Sequence, residues 1–141
     1  QTPVYLFGAA DGVAETVAAN MEKRYGKLRL AGTHSGFFSA AEEGDIIREI
    51  REQGTKILLV ALGVPKQEKW IHAHLSELGP CVCMGVGGTF DVLAGRVSRA
   101  PSWMQHNRLE WLYRLCKEPS RFRRMLALPR FMAAVKFSRR S

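Results

Sequence analysis

The chain has 141 residues, 46% of them hydrophobic, which is enough for one packed domain and too few for two comfortable ones. No apolar run approaches the ~18 residues of a membrane-crossing helix, and the opening QTPVYLFGAADG lacks the basic stretch and apolar core of a signal peptide. The net charge of +8 is lopsided: residues 96–141 hold twelve Lys/Arg against two Glu (+10), whereas residues 1–95 hold nine against eleven Asp/Glu (−2). A near-neutral globular part is therefore expected ahead of a basic tail suited to phosphates, whether of nucleic acid, anionic lipid or a pyrophosphate substrate. The chain opens without Met directly on a strand-like run, as a part of something longer would.

Val4-Tyr5-Leu6-Phe7 reads as a short buried strand ending at Gly8. Asp11 is placed to cap a helix that carries Val13, Val17, Met21 and Tyr25 at helical spacing. Leu28–Ala31 reads as a second strand, broken by Gly32. Ser39-Ala40-Ala41-Glu42 is a capping box opening a helix with Ile46, Ile47 and Ile50 on one face, and Gly54 stops it. Ile57–Leu62 is a continuous apolar run of the kind found at the centre of a parallel sheet. A helix follows from about Pro65, a residue tolerated in the first turn.

Cys81–Val86 reads as another buried strand and runs into Gly87-Gly88. Cys81 and Cys83 alternate there with Val82 and Met84, so they are expected to be packing residues; no catalytic or zinc role is expected of them or of Cys116, and a reducing, cytoplasmic setting fits. Strands alternating with helices predict a Rossmann-like α/β fold over residues 1–98, a parallel sheet flanked by helices. Beyond it, residues 99–141 predict a basic helical appendage in short stretches, roughly Ser102–Lys117 and Arg130–Arg140, punctuated by Pro101, Pro119 and Pro129.

Ligands of open parallel sheets bind outside the carboxyl ends of the strands. Four glycine-bearing segments leave such ends: Gly8–Asp11, Gly32–Phe38, Gly63–Glu68 and Gly85–Asp91. Two of them lead into helix starts, whose N–H groups favour phosphate. Neither GxGxxG nor GxxxxGK[ST] is present, which argues against a nicotinamide dehydrogenase and a phosphate-loop ATPase. In PKQEKW, Glu68 could simply favour the helix dipole with Lys66 solvated; alternatively Lys66 reaches a phosphate and Gln67 reads sugar or base polar groups. Asp91 either accepts from ribose hydroxyls or caps a short helix. His34, His72, His74 and His106 are dispersed, so no metal is expected, and no cofactor.

The strings GTHSGFF, ALGVPKQEKWI, MGVGGTFDVLAGRVSRAP and LEWLYRLCKEPSRFRRMLALPRF, in this order from Val4 to Phe131, resemble the WecG/TagA/CpsF glycosyltransferase family. The RRMLALPRF ending is most similar to the TagA branch of wall teichoic acid synthesis. The resemblance implies an inverting, metal-independent transfer of N-acetylmannosamine from UDP to the 4-hydroxyl of N-acetylglucosamine on undecaprenyl diphosphate. WecG-type transfer of N-acetylmannosaminuronic acid, or of a hexose, is the alternative within the family. A basic nucleic-acid-binding module is the alternative outside it, although nucleic-acid recognition motifs are missing and no nucleic acid is expected as partner.

The resemblance implies that the PKQE and GGTFD blocks hold the donor, with Phe37 beside the uracil; together with the strand-end segments, the expected donor site is Gly8, Thr33, Gly36, Phe37, Gly63, Pro65, Lys66, Gln67, Glu68, Gly85, Gly87, Gly88, Phe90 and Asp91. Arg99, Trp103, Trp111, Arg114, Arg121, Arg123 and Arg124 are expected to meet the lipid diphosphate at the cytoplasmic face of an anionic membrane. Self-association is left open. Family members are longer, and the amino-terminal half that precedes the first strand here is expected to supply the acceptor site and an Asp general base. The residue before LEWLYRL is Arg108 where the family usually has Gly. Without that half, this chain is expected to bind a nucleotide and to catalyse little.

Overall fold

The structure, a computed structural model, describes residues 2–97, 101–107, 109, 112, 113 and 116. The chain divides into two compact units, Gln1–Ser98 and Arg99–Ser141.

In the first unit the elements run β1 (Val4–Gly8), α1 (Val13–Tyr25), β2 (Leu30–His34), α2 (Ala40–Glu52), β3 (Ile57–Ala61), α3 (Lys66–His74), β4 (Val82–Gly85) and α4 (Thr89–Leu93). The four strands form one parallel sheet in the order β2-β1-β3-β4. This is the α/β, Rossmann-like architecture expected from the alternating periodicities. β1 is buried along its whole length because it lies between two strands and two helical layers.

Strand side chains alternate between the faces, so β1 and β3 feed two cores. Tyr5, Phe7, Leu58 and Val60 pack with Ile46, Ile47 and Ile50 of α2 and Trp70 of α3. Val4, Leu6 and Ala61 pack with Val13, Ala14, Val17 and Ala18 of α1 and Phe90 of α4. A right-handed crossover puts a helix on one face when the chain steps outward and on the other when it steps back. Here α1 leads from β1 outward to β2, while α2 and α3 carry the chain back across to β3 and β4. Tyr5 donates from its hydroxyl to Glu49 at 2.9 Å, and burial together with that carboxylate raises its phenol well above the ordinary range.

Four local expectations change. The second strand is Leu30–His34 and continues through Gly32 instead of breaking there; a Cβ on Gly32 would stand 2.5 Å from the Tyr5 ring, so the glycine lets two neighbouring strands close up. The cap of α1 is Gly12, in the left-handed region at φ 74°, rather than Asp11. Tyr25 ends α1 exposed, with the Arg24 guanidinium 5.4 Å from its ring centre. The fourth strand is an edge, not a buried strand. Cys81 and Cys83 face the α2/α3 core, where burial and the neighbouring Cys81 thiol push the Cys83 thiol up to about 12, but Val82 and Met84 are 64% and 55% exposed.

The capping box forms as read. The Ser39 hydroxyl accepts from the Glu42 N–H, and Glu42 accepts in turn from the Ser39 N–H at 2.7 Å. In the second unit, α5 (Ser102–His106) occupies the start of the expected Ser102–Lys117 helix. The expected Arg130–Arg140 stretch lies outside the described residues. Among the described residues no helix is long and apolar enough to cross a membrane.

Candidate functional site

β1 and β3 are adjacent, yet the chain leaves them in opposite directions, and such a reversal opens a crevice at the carboxyl ends of the strands. A cleft of about 380 Å³ lies there. Ala9 and Ala10 after β1 and Ala61 at the end of β3 provide backbone and small side chains, and Leu62, just beyond β3, adds an apolar one. Gly36 and Phe37 close it from the loop after β2, Lys66 from the first turn of α3, and Asp91 from α4.

The floor is stitched through one residue. Ala9 donates its N–H to the Ala61 carbonyl at 2.9 Å and accepts from the Gly36 N–H at 2.7 Å, which ties three strand-end loops together. Ala9 adopts φ 61° to do so. Gly8 before it, at φ 119°, has no room for a side chain, since a Cβ would meet the Ala61 carbonyl carbon at 2.5 Å. Phe37 is 75% exposed at the rim, a flat apolar face open to a ligand. The Lys66 ammonium stands 5.0 Å from the ring centre of Phe38, so this aromatic pins the cation beside the cleft. Phe38 in turn packs at 5.4 Å on Phe7 from the core.

Of the fourteen expected donor-site residues, Gly36, Phe37, Lys66 and Asp91 line this cleft. The others serve the frame around it. Thr33 donates from its hydroxyl to Glu15 at 2.8 Å, and Gly63 turns the chain at φ 79°. Pro65 caps α3 and Gly88 caps α4. Phe90 is 1% exposed in the α1-side core, where its ring serves packing.

Gln67 differs most from its reading as a sugar- or base-contacting side chain. It is 3% exposed, its amide oxygen accepts from the Gly87 N–H at 3.0 Å, and its amide nitrogen donates to Glu68 at 2.8 Å. Gly85 lies directly beneath it, since a Cβ there would stand 2.5 Å from the Gln67 amide nitrogen. Gln67 thus locks the start of α3 to the β4–α4 turn, and Gly85 is the glycine that admits it. Ala9, Ala10, Ala61 and Leu62 were not singled out from sequence; their one available signal was their position at strand ends. Trp103, in α5, is 61% exposed. Arg99, Trp111, Arg114, Arg121, Arg123 and Arg124 lie outside the described residues.

The chain is similar to two curated proteins with the same name, N-acetylglucosaminyldiphosphoundecaprenol N-acetyl-beta-D-mannosaminyltransferase. The one from Bacillus subtilis (strain 168) is 36% identical over 132 residues, covering 94% of this chain and 51% of the relative. The one from Bacillus spizizenii is 35% identical over 132 residues, with the same coverage. The chain therefore spans about half the length of these relatives. The family described as Glycosyl transferase WecG/TagA/CpsF matches residues 1–141. With a parallel sheet, a strand-end cleft and a family match over its whole length, this chain belongs to the WecG/TagA/CpsF glycosyltransferase family.

Proposed function

We propose that this chain is the donor-binding half of a glycosyltransferase that moves N-acetylmannosamine from UDP to N-acetylglucosamine carried on undecaprenyl diphosphate, for cell-wall polymer synthesis. The observation that carries the reading is the strand-end cleft, which brings an exposed aromatic, a pinned lysine and a carboxylate together at the reversal of the sheet. Phe37 offers its ring face to the uracil, Asp91 accepts from ribose or sugar hydroxyls, and Lys66 with the amino-terminal end of α3 faces the diphosphate.

The reaction is a displacement at the sugar's anomeric carbon. The acceptor 4-hydroxyl oxygen forms the new bond while the bond to the β-phosphate oxygen breaks, and UDP departs with that electron pair. The hydroxyl proton passes to a base supplied by the other half of the family's polypeptide. Inversion follows from attack opposite the leaving group. Charge growing on UDP meets Lys66 and helix N–H groups, fixed dipoles that serve without a divalent ion. The basic residues of 99–141 face the lipid diphosphate and an anionic membrane surface.

Calorimetric titration with UDP, ADP and GDP tests this. UDP is expected to bind at least about ten-fold tighter than the purine nucleotides, a difference of about 1.4 kcal/mol. Lys66→Ala and Phe37→Ala are each expected to weaken UDP by a similar factor. Equal affinity for all three nucleotides overturns the reading.

A further inference from the structure

The two edges of the sheet are treated differently. At the β2 edge the pairing register shifts between Val4 and Tyr5, and the exposed, charged Arg29 leads into the strand. Irregular register and charge are the usual means by which a free strand edge is kept from pairing. β4 has neither: its sequence is Val82-Cys83-Met84-Gly85, and its pairing with β3 is regular.

The Val82 and Val86 N–H groups bond to the Lys56 and Val60 carbonyls of the β3 side. By strand alternation, the N–H groups of Cys83 and Gly85 point outward. Register places Val82 beside Ile57 and Met84 beside Leu59, on the face that α1 and α4 cover. There α4 is only five residues long, and Val82 and Met84 stand 64% and 55% exposed. An apolar, regular edge beside an uncovered strip of sheet is a docking surface.

We propose that the outer edge of β4, with Val82 and Met84, is where the half of the family's polypeptide that this chain does not represent packs, by pairing along the strand and covering both side chains. Length argues for this occupant, because the relatives are about twice as long as their match to this chain. A half of that size can bury the ~1,200–2,000 Å² of a stable interface. A second copy brings only another four-residue edge, about 13 Å long, which falls well short. β4 also runs into the Gly85–Asp91 turn that ends at the cleft, so a segment docked along it delivers residues to the donor site. That last point rests on the donor-site reading; the docking itself does not.

The test joins the unmatched half of the Bacillus subtilis relative, in its native order, to this chain, and measures amide hydrogen exchange without nucleotide. Exchange at Cys83 and Gly85 is expected to slow at least about ten-fold relative to this chain alone. Met84→Lys is expected to leave the Tm of this chain alone unchanged and to lower that of the joined protein by about 4 °C. Glu52→Lys, at an exposed site on α2, serves as control and shifts neither. Unchanged exchange overturns the proposal. So does protection already present in this chain alone, whether it vanishes on dilution, which marks a second copy, or on removal of residues 99–141, which marks the chain's own tail. Because no nucleotide is present, failure here leaves the UDP reading standing, and loss of UDP binding leaves this one standing.

Discussion

With its oxygen on the Gly87 N–H and its nitrogen on Glu68, Gln67 has both ends of its amide committed inside the protein. A glutamine in the first turn of a helix, behind a strand-end glycine, reads from sequence as a side chain free to meet a ligand. Its true partner is twenty residues away, on a turn whose approach to α3 depends on β4 taking the edge beside β3. The positions of Lys66 and Asp91 at the cleft were more legible, because a short polar motif at a strand end needs only the sheet to be placed. Gln67→Leu strands the Gly87 N–H without an acceptor, at an expected cost of about 1–3 kcal/mol in urea denaturation. Gly85→Ala pushes the same amide aside and should also destabilise. Because both act through one contact, the double variant is expected to cost less than the sum of the singles. Strict additivity would show that Gln67 does not hold the β4–α4 turn.

Helix α2 and strand β4 show what pattern can and cannot specify at the scale of elements. The α2 start was legible because a capping box is local: Ser39 and Glu42 need only each other. Ser39→Ala should lower stability by about 1 kcal/mol. The hydrogen bonds from the Ser39 backbone and hydroxyl hold the Glu42 carboxyl below its ordinary 4.5. A folded-state value below the unfolded one adds stability above pH 4.5 that is lost as pH falls through the folded value. Glu42→Gln should therefore flatten the decline in Tm on acidification below pH 4.5; an unchanged acid slope would assign that decline to other carboxylates. Strand β4 was harder. Val82-Cys83-Met84-Gly85 is as apolar as a central strand, and only the sheet order reveals that it is an edge, where Val82 and Met84 are left exposed. Gly32 misled for a related reason: it reads as a strand breaker, but its missing Cβ makes room for the Tyr5 ring from the neighbouring strand.

For the molecule as a whole, charge separates what the sheet does from what the tail does. Residues 1–98 carry ten Lys/Arg against eleven Asp/Glu, and residues 99–141 carry eleven Lys/Arg against two Glu, with Trp103, Trp111, Phe122, Phe131 and Phe137 among them. The sheet and its cleft were readable as a class because parallel strands have one ligand-binding end; the tail was readable only as composition. Each Lys/Arg near an anionic surface contributes about 1 kcal/mol, and inserted aromatics add an apolar contribution that salt does not screen. The intact chain is therefore expected to bind phosphatidylglycerol vesicles and not neutral ones. Raising salt from 0.1 M to 1 M, which shortens the screening length from about 10 Å to about 3 Å, should weaken that binding without abolishing it. Removing residues 99–141 should eliminate vesicle binding in a co-sedimentation assay. Complete loss at high salt, together with binding of RNA as tight as that of vesicles, would instead mark the tail as a polyelectrolyte segment without membrane insertion.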